Sequence, residues 1–478
     1  MRNFKKMIII AATAAAFVCS GCRDNVPGPL TTGKDTIAQT KYGEVQGYND
    51  DGIYTFKGIQ YAKAERFMPP QYPDSFDGVK KCQVYGPKAM QDQNVAWGDP
   101  TDYDFGFQFK IETMSEDCQV LNVWTPALDG KKRPVFVWIH GGGYANGSAI
   151  FLPAQDGRSL AEKGDIVVVT VNHRLNILGY IDLTGLGGKW SDSVNLGMQD
   201  LVKALEWVHD NIAAFGGDPD CVTIGGQSGG GGKVSTLMAM PSAQGLFHRA
   251  IVQSGSTLRQ GDPLQSQALG LEIVKELGLT PETADKLAEI PYSELVAAGN
   301  RASRTVRGGR FSPVVDGRYL IQHPFDPAPE ISRDVPMLIG SNLNEFCYTN
   351  NVEFTVDERA RQSVIAQATA KAAQGAAHAF VYHFDWQSKV NDGALAACHG
   401  MELPFMFNNV AVQREMTGGT KKAYKMADKV SSAWIQFIKT GDPNVKCLPE
   451  WEPFSAETEA TMVLDDKCVL EKKAVAQQ

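Results

Sequence analysis

Short, uninterrupted apolar runs constrain this chain more than any other feature. Residues 135–139 read Val-Phe-Val-Trp-Ile, and residues 166–171 read Ile-Val-Val-Val-Thr-Val. A strand with one wet face alternates polar and apolar side chains. A run this apolar suits a strand buried on both faces, the mark of a parallel sheet covered by helices. Residues 222–224, 250–253, 337–339 and 380–384 continue the series. Helical patterns fill the gaps. Leu201, Leu205, Val208 and Ile212 recur on one helical face, and 233–240, 269–277 and 424–440 also read as helices. The alternation predicts an α/β protein with a large, mostly parallel, doubly wound sheet. Glycine-punctuated alternation over 42–61 predicts short antiparallel strands at its N-terminal side. No internal repeat interrupts the pattern, so residues 38–478 are expected to form one domain.

The first residues have a different character. Arg2, Lys5 and Lys6 precede an apolar or small-residue stretch, 7–18, that is too short to span a membrane and reads as a secretory signal. Cys19-Ser20-Gly21-Cys22 follows and resembles a bacterial lipobox, which predicts cleavage after residue 21 and diacylation of Cys22. The usual leucine three positions before that cysteine is replaced by Cys19; a plain signal peptide cleaved nearby, or an uncleaved anchor, is the alternative. Gly, Pro, Thr and Asp between 22 and 37 suit a tether. The expected location is therefore the bacterial envelope, with membrane contact only through the N-terminal lipid. Forty-six Lys and Arg against 54 Asp and Glu leave a net charge of −8 without a long basic run. That argues against a nucleic-acid surface, which needs clustered positive charge. Apart from Cys19 and Cys22 in the signal segment, the nine cysteines form no zinc-type spacing, so no structural metal is expected.

Chemistry is concentrated in three places. Gly226-Gln227-Ser228-Gly229-Gly230 lies between the strand at 222–224 and a helix. A serine on so sharp a strand-to-helix turn is pushed off the sheet edge with its hydroxyl exposed, and glycines are needed where a Cβ would clash. The bland alternative is a phosphate-binding glycine loop, but Lys233 lacks the hydroxyl residue that closes a Walker motif. His140-Gly141-Gly142-Gly143 follows the strand at 135–139, and consecutive glycines let backbone N–H groups converge on an oxyanion. A serine nucleophile also needs a histidine base and an acid that holds its tautomer. In this fold class they follow the serine in the order acid, then histidine. Of eight histidines, His323, His378, His383 and His399 lie far enough beyond Ser228. Glu345 follows the strand at 337–339. His383 lies inside the next strand, His378 precedes it, and His399 sits in the loop beyond it, which favours Glu345 and His399.

These residues resemble the type-B carboxylesterases of the α/β-hydrolase fold, a group that includes the cholinesterases. Further matching blocks are Phe56-Lys-Gly-Ile-Gln-Tyr-Ala62 with Arg66-Phe67, Ser115-Glu-Asp-Cys-Gln-Val-Leu-Asn-Val123, Val171-Asn-His-Arg-Leu-Asn-Ile-Leu-Gly179, Phe215-Gly-Gly-Asp-Pro219, His399-Gly-Met-Glu-Leu-Pro-Phe405 and Thr440-Gly-Asp-Pro-Asn444. The resemblance implies that Ser228 is the nucleophile, Glu345 the acid and His399 the base. It implies oxyanion donors at the N–H groups of Gly142, Gly143 and Gly229, ion pairs Arg66–Glu116 and Arg174–Asp200, and no cofactor. The implied substrate is a small-molecule carboxylic ester. A carbohydrate or aromatic-acid ester, a thioester, or a non-catalytic adhesion role on the same scaffold are the alternatives, and oligomeric state is not legible. The chain also departs from the family. Gln227-Ser228-Gly229 stands where Glu-Ser-Ala is usual, which implies a less rigid oxyanion donor at Gly229. Ala89 stands where a cysteine often pairs with the one at 118, leaving Cys82 as a substitute partner. Only 54 positions separate Glu345 from His399, which implies a more open entrance. Trp97 falls where cholinesterases hold an aromatic platform, although a packed or exposed loop position is the simpler expectation.

Overall fold

The computed structural model describes residues 28–92, 102–345 and 356–473. The signal segment, Cys19, Cys22 and Trp97 lie outside them, as does part of the interval on which the more open entrance was inferred. The apolar runs become the centre of an 11-stranded sheet. In chain order its strands are β1 (Tyr48–Asp50), β2 (Ile53–Gln60), β3 (Val120–Thr125), β4 (Arg133–Ile139), β5 (Val167–Val171), β6 (Gly217–Gln227), β7 (Arg249–Gln253), β8 (Met337–Asn342), β9 (Ala379–Phe384), β10 (Thr461–Leu464) and β11 (Val469–Glu471). Their spatial order is β11-β10-β9-β8-β7-β6-β4-β5-β3-β2-β1. Strands β4 to β10 are mutually parallel, while β1, β2, β3 and β11 join antiparallel at the two sides.

The strand side chains explain why the sheet is covered on both faces. Val135, Val137 and Ile139 of β4 enter one core with Leu201, Leu205 and Val208 of helix Leu196–Asn211. Phe136 and Trp138 enter the opposite core with Trp434, Phe437 and Ile438 of helix Lys421–Thr440. That last helix starts at Thr420, whose hydroxyl accepts the Ala423 N–H, and stops at Gly441 in the left-handed region. A third cluster joins helices Pro263–Glu276 and Tyr292–Thr305.

Register brings the functional loops together. Ile139 pairs with Val171 on one side and Gly226 on the other, and Gly226 pairs with Val252. The carboxyl ends of β4, β6 and β7 therefore finish at one level, where α/β sheets bind ligands. The elbow helix, expected from residue 233, begins at Gly229, directly after Ser228. The end of the expected tether is held on the domain: Thr31 exchanges two backbone hydrogen bonds with Asn49, and Thr36 is buried. Expected antiparallel strands near 42–61 are present, but Gly43–Gln46 belongs to a separate small sheet with Ile37–Thr40 and Val79–Lys81.

Candidate active site

Close backbone contact, rather than flexibility, accounts for the elbow glycines. A Cβ at Gly226 would lie 2.5 Å from the Gly230 carbonyl carbon and 2.7 Å from the Ile139 oxygen. One at Gly230 would lie 2.1 Å from that same Ile139 oxygen. Ser228, between them, is held at φ 58° and ψ −128°. Such a conformation is costly for a residue with a side chain and persists only where the surroundings enforce it. Here β7 enforces it, since the Ser228 N–H donates to the Gln253 carbonyl at 2.8 Å.

The acid and histidine loops are stitched together by their backbones. The His399 N–H donates to the Glu345 carbonyl at 2.9 Å, and the Asn344 N–H donates to the Ala397 carbonyl at 3.1 Å. Asn342 Nδ2 donates to the Cys398 carbonyl at 2.7 Å and to Glu402 Oε2 at 2.6 Å. Within this frame Glu345 is 1% exposed; its Oε1 accepts the Asn342 N–H, and its Oε2 lies 2.5 Å from His399 Nδ1. The carboxylate can only accept, so Nδ1 carries the proton and Nε2 offers a lone pair. Burial works against the charged imidazolium of His399, but Glu345 outweighs it and holds the pKa above the ordinary histidine value. Glu402 is a second buried carboxyl close enough to act on His399. Burial and the neighbouring Glu345 push it upward, and Gln253 and Asn342 donate to its two oxygens.

Gln227 occupies a place that the sequence does not reveal. Its Nε2 lies 3.1 Å from His399 Nε2, so the elbow amide engages the ring atom that would accept a serine proton. The His140–Gly143 loop packs directly against the elbow. Gly142 and Gly143 have φ of 85° and 62°, in the region that favours glycine. A Cβ on Gly229 would lie 2.2 Å from the Gly143 oxygen. Glycine at 229 is therefore a steric requirement of this loop, a reason for the residue that the sequence does not reveal. Ser228, His399 and Gly142 share the wall of a cavity of about 450 Å³ with Phe107, Phe109 and Phe151. The rings of Phe107 and Phe109 stack at 5.6 Å, and those of Phe109 and Phe151 at 5.8 Å.

The remaining sequence candidates fall elsewhere. His383 is buried inside β9, where burial and nearby Arg361 push it down to about 3. His323 accepts the Gln260 N–H at 3.2 Å. Both expected ion pairs form. Arg174 grips buried Asp200 through Nε and Nη2 at 2.9 and 2.7 Å, and Arg66 meets Glu116 through Nε at 2.8 Å and through Nη2. Cys82 does not take over the missing bridge; it and Cys118 are both buried free thiols.

An α/β sheet bearing this loop cluster defines the class: a carboxylic-ester hydrolase of the α/β-hydrolase fold. The chain belongs to the carboxylesterase family, whose profile matches residues 34–368 and 353–478. It is 32% identical to a para-nitrobenzyl esterase of Bacillus subtilis over 91% of this chain and 96% of that one. It is 31% identical to a phenmedipham hydrolase of Pseudarthrobacter oxydans, covering 90% and 95% of the two chains. Among solved structures, an esterase from Clostridium hathewayi described as hydrolysing aliphatic aromatic polyesters superimposes with a TM-score of 0.85. Its identity is 33%, over 94% of this chain and 97% of that one. The esterases it matches along most of its length make the chain a carboxylic-ester hydrolase rather than an adhesion protein.

Proposed function

We propose that this carboxylesterase works through an acyl-enzyme on Ser228, with His399 as general base and Glu345 as its orienting acid. The observation that carries the reading is the buried Glu345–His399 pair, whose ring opens into the cavity that also holds Ser228 and Gly142. Nδ1 is committed to Glu345, which leaves Nε2 as the basic atom. As the Ser228 oxygen attacks the ester carbonyl, Nε2 takes its proton, and the Gln227 amide yields or shares the position. Glu345 stabilises the imidazolium. The N–H groups of Gly142, Gly143 and Gly229 receive the oxyanion, helped by the positive end of the helix that starts at Gly229. The imidazolium then protonates the leaving alcohol. Water, deprotonated by His399, hydrolyses the acyl-enzyme and regenerates Ser228. Ser228→Ala is expected to abolish turnover of p-nitrophenyl butyrate; a variant with wild-type kcat would overturn the assignment.

The stacked phenylalanines favour an ester with an aromatic acid or alcohol over a carbohydrate ester. Relatives named for a nitrobenzyl ester, and for aliphatic aromatic polyesters, support the same reading. One aromatic pair contributes about 0.5–1.5 kcal/mol, up to about tenfold in kcat/KM. A panel of matched benzoate and acetate esters tests it, and equal kcat/KM for both would overturn it. We also propose export and lipid attachment at Cys22, tested by radiolabelled palmitate incorporation that Cys22→Ala should eliminate.

A further inference from the structure

Lys233 is the buried group that the mechanism above does not use. It sits in the second turn of helix Gly229–Leu237, is 0% exposed, and follows a run of four glycines. Helical side chains lean toward their own N-terminus, so a long side chain at 233 reaches back over the first turn. There Nζ donates to the Gly143 carbonyl at 2.8 Å and to the His140 carbonyl at 3.2 Å, and it lies 5.5 Å from the Tyr144 ring centre.

These two carbonyls bracket the oxyanion loop. The peptide units between them carry the N–H groups of Gly142 and Gly143. The inner carbonyls are held as well: Gly141 O accepts from His140 Nδ1 at 2.8 Å, and Gly142 O accepts from the Asn146 N–H at 3.0 Å. Four consecutive peptide planes are thus fixed, the outer two by one lysine. A second observation points the same way. The Gly143 oxygen that Lys233 holds occupies the space a Cβ at residue 229 would need. Gly229 and Lys233 therefore form a matched pair in which one leaves the room and the other draws the loop into it.

We infer that Lys233 is a positioning residue of the oxyanion pocket, fixing the planes that flank the Gly142 and Gly143 donors and holding an ammonium group against the two outer carbonyls. The inference rests on Ser228 being the nucleophile served by that pocket. Burial pushes Lys233 down to about 7, so its charge is lost as pH rises through neutrality. The titratable groups facing it are His140, His173 and Tyr144. Burial, with Lys233 adding to it, keeps both histidines neutral, and burial likewise keeps the phenol neutral.

Lys233→Met keeps the length and apolar stem but removes the charge and every donor. The assays are p-nitrophenyl acetate turnover across pH 5–10 and the rate of fluorophosphonate labelling. Kcat is expected to fall about 10²-fold, the scale of losing one oxyanion donor, with KM within about threefold of wild type. The wild type's fall in kcat/KM on the alkaline side should disappear in the variant. Kcat within twofold of wild type would overturn the inference. A lowered kcat that keeps the wild-type alkaline limb would do so too, since the loss would then be merely structural. If Lys233→Met does not fold, Lys233→Gln decides in the same assays: it keeps a polar head but is one atom shorter and cannot bridge both carbonyls, so kcat should still fall at least about tenfold, and kcat within twofold of wild type would refute the role. Wild-type protein that takes no label at Ser228 overturns the underlying triad as well. Labelling that is equal in wild type and Lys233→Met removes only the lysine's role.

Discussion

Restoring the family's usual residue at position 229 should damage this enzyme. In Gly229→Ala the new methyl carbon would stand 2.2 Å from the Gly143 oxygen, 2.4 Å from its Cα and 2.5 Å from its carbonyl carbon. All three are backbone atoms, so no side chain can turn aside. Ordinary carbon–oxygen contact begins above 3 Å, and the loop must retreat by roughly 1 Å. Misplacement on that scale costs about 10² in rate, and loss of one oxyanion donor costs about 10²–10³, or about 2.7–4 kcal/mol of transition-state stabilisation. The retreat also breaks the hydrogen bond from Lys233 to Gly143. Stability should fall as well, because the clash is with backbone and cannot be relieved by a side-chain rotation. The assay is p-nitrophenyl acetate hydrolysis together with thermal unfolding. Kcat is expected to fall about 10²-fold with KM little changed. Kcat equal to or above wild type would refute the steric argument and leave a less rigid donor as the consequence of glycine at 229.

Four other outcomes follow from the geometry. Neutral His399 is the active form, and Glu345 raises its pKa, so kcat/KM should decline on acidification from a point above the usual imidazole value of about 6.5; a pH–rate profile with its acidic midpoint below that contradicts the pairing. Gln227→Glu places a carboxylate against His399 Nε2 and should move that acidic limb up by about 1–2 pH units, read from the same profile. Asn342→Ala removes the donor shared by the Cys398 carbonyl and Glu402, and should cost about 1–3 kcal/mol in urea unfolding together with part of the activity. Arg174→Ala strands buried Asp200 and should cost about 3–5 kcal/mol in the same unfolding experiment.

The sheet was legible because its central strands are buried on both faces and so read as almost wholly apolar, as residues 135–139 and 166–171 show. The elbow was legible because backbone contact at Gly226 and Gly230 admits no other residue. Chain order brought Glu345 and His399 forward, and the structure joins them. The contacts of Gln227, Lys233 and Glu402 were not legible, because each depends on a loop from elsewhere in the chain. Gln227 reads as a variant of the usual glutamate until His399 folds against it. Lys233 reads only as a failed phosphate-loop lysine, although a lysine directly after four glycines, on a helix packed under a glycine loop, was a signal of close approach. The phenylalanine stack is not legible in the sequence, because Phe151 lies far along the chain from Phe107 and Phe109. The small sheet formed by Ile37–Thr40, Gly43–Gln46 and Val79–Lys81 is not legible, because short strands near a glycine-rich turn carry no information about which partner they choose.

The most direct measurement is to react the protein with a fluorophosphonate, digest it, and locate the phosphonylated residue by mass spectrometry. The account predicts one modified peptide, carrying the label on Ser228, with labelling slowed by His399→Gln and absent in Ser228→Ala. Stoichiometric label on any other residue, or full turnover by unlabelled Ser228→Ala protein, would contradict it.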